Sequence, residues 1–331
     1  MADSFLGAVA CRAADQLLPP LSSQYAAIAH AMPPAVRELL VYNIDPATVD
    51  SHRLLVALGQ DGSAHEWAGR TGAEIISVPG ALVPTQCAAL RASVDAATME
   101  LTDSVDEQLE YQCTLSIDDL EALIGIAAIE WLSALATACY ERNTLPMSPE
   151  AEAAARAAGI ICTSPVLPDE PHYIFIRRYS ATTRPWTAFH YDRASLTLNV
   201  SLTDEADHTG GRLLAILQGS VRSCERREGT ATLHMSTLMH GVTRMTSGER
   251  YSLILFYRPK CPHADHALVR CDAPTMTLLY PLESGAYSCD SCGDSAAELG
   301  HPAMWHCSVG CEYDVCDACY NLGCFSAAAD D

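Results

Sequence analysis

Three side chains in the middle of the chain have the types and the spacing of a metal site. One residue separates His190 from Asp192, and His240 follows His190 by fifty residues. Side chains alternate along a strand, so a His-x-Asp pair on an extended segment places both ligands on one face. A sheet that folds back can bring His240 to the same face. Two imidazoles and one carboxylate that leave coordination positions open suit a non-haem Fe(II) oxygenase.

Two further residues provide what such a metal site would need to hold a dicarboxylate. Arg250 and Ser252 follow His240 by ten and twelve residues. A guanidinium group binds a carboxylate through two parallel hydrogen bonds and keeps its charge in a buried site. Lys260 is the only lysine among 20 basic residues, so an anion clamp elsewhere in the chain has to be an arginine.

A second set of metal-ligand residues lies towards the C-terminal end. Seven of the 15 cysteines fall between Cys289 and Cys324, whereas the other eight show no regular spacing. Four thiolates from two cysteine pairs form the closed tetrahedral site of a structural zinc ion. A segment this short cannot build a large core, so a bound metal would supply much of its folding free energy. The alternative is a set of reduced, buried cysteines without a metal. The pairs are Cys289-x2-Cys292, Cys307-x3-Cys311 and Cys316-x2-Cys319.

The segments around the histidines and Asp192 have the pattern of short strands. From His172 to Tyr257, runs rich in β-branched and aromatic residues are bounded by Gly, Pro, Asp or Ser. Short, evenly spaced strands are typical of a sandwich or barrel. Helical segments precede them, so we predict an α+β fold in which helices cover one face of a mainly antiparallel sheet. The runs are YIFIRRY, SLTLNVSL, GRLLAIL, GTATLHM and RYSLILFY.

Three helices are predicted before the strands, and we assign no chemistry to them. The strongest covers residues 116–143, with Ser116 as its N-cap and Asp119 three residues later. Another begins near Pro84, and a third covers residues 151–159. We expect the helix over residues 116–143 to pack on the sheet.

Composition limits the class of protein and its partners. Apolar residues make up 49% of the chain and charged residues 18%, as in a globular protein. The net charge of −21 argues against nucleic-acid binding, which requires clustered basic residues. No apolar window of 18 residues predicts a membrane span, and the N-terminus lacks the basic region of a secretory signal. The cysteine spacing indicates reduced thiols, and an intracellular location, cytoplasmic or nuclear, is expected.

Residues 76–258 resemble the 2-oxoglutarate- and Fe(II)-dependent dioxygenases, in the branch of the prolyl and lysyl hydroxylases. The segment HYDRASLTLNVSLTD is similar to that branch's H-x-D strand and the next strand, and Gly210-Gly211 matches its paired glycines. HGVTRMTSGERYSLILF is similar to its distal histidine and R-x-S segment, and VPGALVPTQCAAL resembles its usual start. The resemblance implies a double-stranded β-helix (jelly-roll) core backed by N-terminal helices.

The same resemblance implies an iron site and a co-substrate site. His190, Asp192 and His240 would be the Fe(II) ligands. Arg250 would bind the distal carboxylate of 2-oxoglutarate, and Ser252 would hydrogen-bond nearby. O2 would be the second co-substrate, and ascorbate is an expected cofactor. Because halogenating members lack the carboxylate, the presence of Asp192 favours hydroxylation.

Other residues near these motifs leave alternatives open. Tyr179 resembles a family tyrosine that hydrogen-bonds the co-substrate, or it is a core tyrosine. Asn199 alternates with apolar residues and is expected to face the cavity, either as a co-substrate contact or as polar lining. His234 is interpreted as structural. Trp186 and Arg184 are expected to line the substrate mouth, with packing as the alternative for Trp186.

The C-terminal cysteines resemble a ZZ-type zinc finger through the segments YSCDSCG and CEYDVCDACY. In that family the first and last pairs share one zinc, and a second zinc uses the middle pair with a C-terminal His-x-His. This chain lacks the His-x-His, so Cys307 and Cys311 would need Cys324, His301 or His306. Such fingers generally bind proteins, and an acidic surface would favour a basic peptide. By the resemblance, the complete zinc site consists of Cys289, Cys292, Cys316 and Cys319.

The predicted organisation has four parts. Residues 1–72 have no assigned role, 73–258 form the dioxygenase domain, 259–284 a Pro-rich linker and 285–324 the zinc finger. The leading hypothesis is an enzyme that hydroxylates a residue of a protein or peptide, most readily proline. One alternative is a lysyl or small-molecule hydroxylase that uses the same site. The other is a non-catalytic binding or scaffold protein.

Overall fold

The chain forms two units, and each is described by itself. The first unit draws on residues 1–140 and 169–257, and the second on residues 141–168 and 258–331. The computed structural model describes residues 18–58, 74–97, 99–102, 109–143, 148–160, 167, 170–192, 194–258, 267–279, 289–292, 294, 303–309 and 313–323.

The described part of the first unit contains six α-helices, eleven strands and two short 3-10 helices, Pro46–Thr48 and Glu205–Asp207. The helices are α1 (Ser23–Ala31), α2 (Pro34–Leu40), α3 (Ser51–Ala57), α4 (Pro84–Ala97), α5 (Ile117–Ile124) and α6 (Ile126–Asn143). The strands are β1 (Ile76–Val78), β2 (Met99–Thr102), β3 (Leu109–Leu115), β4 (Tyr173–Ser180), β5 (Thr187–His190), β6 (Leu196–Ser201), β7 (Leu213–Leu217), β8 (Ser220–Cys224), β9 (Ala231–Met235), β10 (His240–Val242) and β11 (Glu249–Tyr257).

These strands form two antiparallel sheets. The larger has the order β1-β9-β6-β11-β4-β3-β2, and the smaller has the order β5-β10-β7-β8. We refer to the two sheets together as the barrel. Every pairing within the two sheets is antiparallel. The prediction of helices combined with an antiparallel sheet is therefore confirmed.

Strand β11 has one face towards the polar interior and the other towards helix α4. Its residues alternate between the two faces of the large sheet, because side chains along a strand point in opposite directions. On the outer face, the Tyr251 hydroxyl donates to Asp95 Oδ1 of α4 at 2.8 Å, beside Arg178 of β4. On the inner face lie Arg250 and Ser252, both buried. Helix α4 thus covers the side of the sheet that faces away from the candidate site.

The helix predicted over residues 116–143 is broken in the structure. Ser116 and Asp119 form the capping box that starts α5, as the sequence indicated. Gly125 ends α5 with a φ of 84°, a left-handed value that favours glycine, and α6 begins at the next residue. The apolar pattern does not reveal this break. Each of the two helices needs an apolar face, so their apolar residues form one continuous stripe in the sequence.

None of the helices in the described ranges is by itself long and apolar enough to cross a membrane. Helices α5 and α6 are long and apolar enough only when they are counted as one segment, and the angle between them is 116°.

The N-terminal region, for which the sequence suggested no role, covers the small sheet. Tyr25 of α1 and Leu39 and Leu40 of α2 are buried in one cluster with Trp186, which precedes β5, and Leu214 of β7. The rings of Tyr25 and Trp186 meet edge to face, with centroids 5.2 Å apart. Residues 18–58 therefore form a helical layer on the outside of the sheet that carries His190 and His240.

Hydrogen bonds tie this helical layer to Arg212, which precedes β7, and to the segment between β10 and β11. The Arg244 amide donates to Leu40 O at 2.6 Å, and Asn43 Nδ2 donates to Arg244 O at 2.9 Å. Arg212 Nη2 donates to Asn43 O at 2.7 Å, and Arg244 Nη2 donates to Pro19 O. The layer thereby anchors the backbone that connects His240 to Arg250.

The second unit is built from short elements. The three strands in its described part form an antiparallel sheet in the order β12-β13-β14. Its small core includes Ala155, Cys271, Met276, Met304 and Val315. The elements are α7 (Pro149–Ala157), β12 (Leu268–Cys271), α8 (Ala273–Leu279), β13 (Met304–Cys307), β14 (Asp314–Val315) and α9 (Asp317–Leu322).

The predicted linker at 259–284 differs from what the structure shows. Residues 268–271 form β12, which pairs with β13, and residues 273–279 form α8, whose Met276 is fully buried. The prolines that suggested a linker include Pro274, which lies in the first turn of α8, where proline is tolerated. The structured part of the second unit therefore begins before residue 285, and helix α7 also belongs to it.

Candidate active site in the barrel

Paired strands of the small sheet bring two of the predicted metal ligands together. His190 ends β5 and lies directly opposite His240, which begins β10. Their ring centroids are 4.4 Å apart. Asp192 follows two residues after His190, and its Oδ1 lies 3.3 Å from His190 Nε2 and 3.7 Å from His240 Nε2. The three donor atoms all lie within 4.8 Å of one another.

Backbone carbonyl groups fix the orientation of both imidazoles. His190 Nδ1 is 2.8 Å from Ala188 O, and His240 Nδ1 is 3.1 Å from Leu238 O. Because a carbonyl oxygen only accepts, each Nδ1 carries the proton and each Nε2 presents a lone pair. Metal-binding histidines are commonly held in this way. Both lone pairs point to the region occupied by Asp192 Oδ1.

The second oxygen of Asp192 is held by the large sheet. The Thr197 hydroxyl of β6 donates to Oδ2 at 2.6 Å, which leaves Oδ1 on the side of the histidines. Burial by itself would raise the pKa of Asp192, but the neighbouring imidazoles of His240, His190 and His234 hold it well below its ordinary value. The carboxylate is therefore ionised at neutral pH.

The charge states of these residues suit a cation. Burial lowers the pKa of His240 to about 3, so this ring is neutral at pH 7. The Asp192 carboxylate and the Nε2 atoms of His190 and His240 then direct three donor atoms at one small space. Such a cluster is electrostatically unfavourable when empty and is stabilised by a divalent metal ion, so these residues fit an Fe(II)-type site.

His234, which we interpreted as structural, also contacts this cluster. It lies on β9 opposite Thr197, and its Nε2 is 3.6 Å from Asp192 Oδ2. Its ring centroid is 4.7 Å from that of His240. The period-two pattern could have placed it, because His234 and Thr232 share the inner face of β9 as Thr197 and Asn199 share that of β6.

The predicted carboxylate clamp lies deeper on the inner face of the large sheet. Arg250 is 2% exposed, and its guanidinium carbon lies 4.7 Å from the ring centroid of Tyr179, its partner on β4. Arg250 Nη1 and Ser252 Oγ are buried, and neither has a hydrogen-bond partner among the described residues. Buried polar atoms of native proteins are normally paired, so these two atoms are available to hydrogen-bond a polar ligand.

Two further observations support an anion next to Arg250. Burial lowers the pKa of Arg250, a cost that a bound carboxylate would offset. At Gly211, whose φ is 66°, an added Cβ would collide with Met245 Sδ and approach Arg250 Cδ to 3.2 Å. The second glycine of the Gly-Gly pair therefore gives the Arg250 side chain its space.

Asn199 lies between the metal ligands and the clamp. It sits on β6, two residues from Thr197 and two from Ser201, which pairs with Ser252. The backbone thus places it on the inner face, as predicted. Its Oδ1 accepts a hydrogen bond from Arg226 Nη1 at 2.7 Å.

Aromatic side chains occupy the inner face at the end near the metal ligands. Phe256 lies opposite Thr197 on the neighbouring strand. Its ring centroid is 5.4 Å from that of Phe175 and 6.4 Å from that of Tyr173. Tyr173 and Phe256 are half-buried, so part of this aromatic surface is accessible.

Trp186 and Arg184 do not line a substrate mouth. Trp186 is 2% exposed and packs in the cluster beneath the N-terminal helices. Arg184 is 1% exposed and adopts a φ of 54°. The packing alternative is therefore correct for Trp186, and the expectation for Arg184 is wrong, because the helical layer covers this loop.

The second candidate metal site consists of four cysteines in the second unit. The sulfur atoms of Cys289, Cys292, Cys316 and Cys319 all lie within 4.8 Å of one another. The Cys316 amide donates to Cys289 Sγ at 3.3 Å, and the Cys319 amide donates to Cys316 Sγ at 3.4 Å. Burial raises the pKa of the Cys289 thiol, but backbone amide groups oppose this and leave it below its ordinary value. This arrangement fits a closed zinc site.

The second zinc site remains a prediction. Cys307 is buried on β13, but Cys311, Cys324 and His301 lie outside the described residues. His306 Nδ1 is 2.8 Å from Asp314 Oδ1.

Comparison with curated proteins finds relatives that are oxygenases by name. The chain is 31% identical over 123 residues to the 2-oxoglutarate and iron-dependent oxygenase domain-containing protein 2 of Xenopus tropicalis, which covers 31% of this chain and 35% of that protein. It is 27% identical over 137 residues to the Danio rerio protein of the same name, with 39% of each chain covered. The chain thus spans little more than a third of the length of the curated relatives it matches.

Solved structures with a similar arrangement include hydroxylases. A Pseudomonas putida prolyl-4-hydroxylase matches with a TM-score of 0.38 and 16% identity, over 60% of this chain and 99% of that one. A Trichoplax adhaerens prolyl hydroxylase in complex with a hypoxia inducible factor peptide matches with a TM-score of 0.36 and 14% identity, over 63% and 94%. No family model matches the chain.

Proposed function

We propose that the protein is an Fe(II)- and 2-oxoglutarate-dependent dioxygenase that hydroxylates a residue of a protein or peptide, with proline as the favoured target. The observation that carries this proposal is that a candidate metal site and a candidate carboxylate site lie on the same inner surface of the barrel. Three metal-type donor atoms converge within 4.8 Å, and a buried arginine with an unpaired nitrogen lies on the same inner surface. The names of the curated relatives support the same oxidoreductase class.

In this proposal each residue has a separate task. His190, His240 and Asp192 hold the iron, and Thr197 keeps Asp192 Oδ2 occupied so that Oδ1 is available to the metal. Arg250 and Ser252 bind the distal carboxylate of 2-oxoglutarate, and the buried surroundings exclude water from that end.

Iron with bound 2-oxoglutarate would supply the oxidation of an unactivated C–H bond, with one O2 and one 2-oxoglutarate converted to succinate and CO2 for each C–H that becomes C–OH. The protein contributes the binding of the co-substrate, the orientation of the substrate and the charge state of the metal ligands, and it does not supply the oxidising power.

The aromatic surface supports the peptidyl-proline part of the proposal. Tyr173, Phe175 and Phe256 lie at the metal end of the inner face. Proline-containing segments pack well on aromatic faces. A lysine target would instead be expected to use a carboxylate near this surface, so the product distinguishes the two targets.

The proposal assigns zinc to the second unit. Cys289, Cys292, Cys316 and Cys319 would hold it, and the finger would bind a partner protein or peptide. The net charge of −21 supports a basic partner.

The test is 2-oxoglutarate turnover with Fe(II), ascorbate and peptide libraries, followed by mass spectrometry of the peptides. We expect succinate formation and a gain of one oxygen on proline residues. His190→Ala should remove turnover, and Arg250→Met should raise the 2-oxoglutarate requirement at least 100-fold, since it removes a charged, bidentate contact. Arg227→Met, which changes an exposed arginine, is the control.

Two results would contradict the proposal. If the purified chain binds neither Fe(II) nor 2-oxoglutarate, the oxygenase assignment fails. If both bind and the only oxidised product is hydroxylysine, the class holds and the proline assignment fails.

A further inference from the structure

A second arginine is buried inside the barrel, and neither the motifs nor the proposed reaction account for it. Arg226 follows β8 and is 2% exposed, whereas its neighbour Arg227 is exposed. Its backbone amide donates to Glu205 Oε1 at 2.9 Å. Its one described side-chain hydrogen bond goes to Asn199 Oδ1 at 2.7 Å. A guanidinium group is costly to bury, so this placement needs a reason.

The contact fixes which way the amide of Asn199 points. A guanidinium group can only donate hydrogen bonds, so the Asn199 atom that faces Arg226 has to be the oxygen. The amide nitrogen Nδ2 is then directed away from Arg226. Within the described part of the chain, Nδ2 makes no hydrogen bond, and Asn199 is half-buried.

The position of Asn199 indicates what its amide would meet. Thr197, two residues before it on β6, holds Asp192 of the metal cluster. Ser201, two residues after it, pairs with Ser252 beside the Arg250 clamp. Residues at this spacing share one face of a strand. A ligand that extends from the clamp to the metal therefore passes Asn199 on the inner face of β6.

We infer that Arg226 is a positioning residue for the co-substrate, because it orients Asn199 so that Nδ2 donates to the 2-oxo-acid end of the bound ligand. The inference rests on the proposed function, which supplies the class of ligand. Arg250 recognises the distal carboxylate, whereas Arg226, acting through Asn199, recognises the end that all 2-oxo acids share. The positive charge of Arg226 also attracts the carboxylate next to the 2-oxo group.

The competing explanation is that Arg226 only stabilises the fold by bonding to Asn199. The two explanations differ for Asn199→Asp. A carboxylate at this position would keep or strengthen the bond to Arg226, so a purely structural role would be preserved. The variant would remove the Nδ2 donor and would place a negative charge beside the ligand, so co-substrate binding would weaken.

The experiment measures binding without turnover. Protein loaded with Mn(II) is titrated by calorimetry with 2-oxoglutarate and with 2-oxopentanoate, a 2-oxo acid of the same length that lacks the distal carboxylate. The variants are Arg226→Met, Asn199→Asp and Arg250→Met, with Arg227→Met as the matched control from the same loop. Circular dichroism and thermal melting report whether each variant folds.

Arg226→Met and Asn199→Asp should each weaken both ligands about tenfold and leave the ratio of the two affinities unchanged. Arg250→Met should abolish the preference for 2-oxoglutarate over 2-oxopentanoate. If Arg226→Met does not fold, Asn199→Asp alone decides. The inference is overturned if Asn199→Asp binds both ligands as the wild type does, or if folded Arg226→Met behaves like Arg227→Met. If the wild type binds neither ligand, the proposed function itself fails.

Discussion

The two candidate metal sites differ in the kind of structure that holds their ligands. In the first unit, His190 and His240 lie on paired strands, and each Nδ1 is tied to a carbonyl two residues away. In the second unit, Cys289 and Cys292 lie in a turn, and Cys316 and Cys319 lie at the start of the six-residue helix α9. The sheet orients the first set, whereas the second set has little scaffold of its own.

The difference indicates how each site would relate to folding and to chemistry. A site held by sheet hydrogen bonds can keep its ligands in place with only three protein donors, so positions on the metal stay available for a ligand. Four thiolates fill a tetrahedral site and leave none. We therefore expect the barrel to fold without metal, and the second unit to depend on it.

The largest expected effect is the loss of one zinc ligand. Cys316→Ser should abolish stoichiometric zinc binding and unfold the second unit, because structural zinc supplies roughly 10 kcal/mol of apparent folding free energy. Elemental analysis and limited proteolysis provide the measurement. Cys271→Ala, a buried cysteine of the same unit outside the cluster, should keep its zinc. Wild-type zinc content in Cys316→Ser would refute the assignment.

A smaller effect is expected when the hydrogen bond that holds Asp192, a ligand of the barrel site, is removed. Thr197→Val deletes the hydroxyl that donates to Asp192 Oδ2, and affinity for Mn(II) or Co(II) should fall about 10- to 100-fold while the fold persists. Thr232→Val is the matched control, because its hydroxyl lies on the neighbouring strand and its hydrogen bond among the described residues goes to Asn199 O. Equal affinities for the two variants would show that Thr197 does not support the ligand.

The metal-free barrel should lose stability in acid. His240 has a pKa of about 3 in the folded chain and an ordinary value near 6.5 when unfolded, so the unfolded state binds more protons between these values. Stability is therefore fully present above pH 6.5 and decreases by about 1.4 kcal/mol for each pH unit below it. Urea unfolding with a chelator present, at pH 7.5 and pH 5.5, measures this.

A matched variant isolates the contribution of His240. His240→Gln keeps a neutral polar side chain and cannot gain a proton, so its stability should change less between the two pH values. An identical pH dependence for the wild type and His240→Gln would contradict the buried, neutral state of this ring. Burial also lowers the pKa of His234, which adds to the effect in the same direction and is present in both proteins.

The smallest expected effect concerns the helical layer behind the small sheet. Asn43→Gly removes the Nδ2 bond to Arg244 O but suits the φ of 54° at this residue, so the free energy of unfolding should fall by only about 1 kcal/mol. Thr48→Ala loses a bond within its own turn and serves as control. A drop in metal affinity for Asn43→Gly beyond that of Thr48→Ala would show that the layer also adjusts the site.

The ligand pattern could be predicted from local rules. The alternation of side chains along β6 and β11 places Thr197, Asn199, Arg250 and Ser252 on one face, and His-x-Asp followed by a distal histidine needs only antiparallel pairing. The strand positions of His190 and His240 agree with this prediction, since they are direct partners. Short-range periodicity thus carried most of the information about the first site.

Other features depend on contacts between residues far apart in the chain, which periodicity does not encode. Arg226 and Asn199 are 27 residues apart, and nothing in their spacing predicts their hydrogen bond. The burial of Arg184 and Trp186 depends on α1 and α2, which lie more than 140 residues earlier. The break at Gly125 is local, but a single glycine within an apolar stripe is a weak signal.

The N-terminal helical layer has a practical consequence for recombinant work on this protein. A chain shortened to residue 73, where the recognisable dioxygenase motifs begin, would lose every α1–α3 partner of Trp186, Leu214, Ile216 and Met239. Those side chains would form a contiguous apolar patch on an open four-stranded sheet, a surface that promotes self-association. Aggregation or inactivity of such a shortened protein would then result from the missing helices, and it would not test whether the barrel can catalyse.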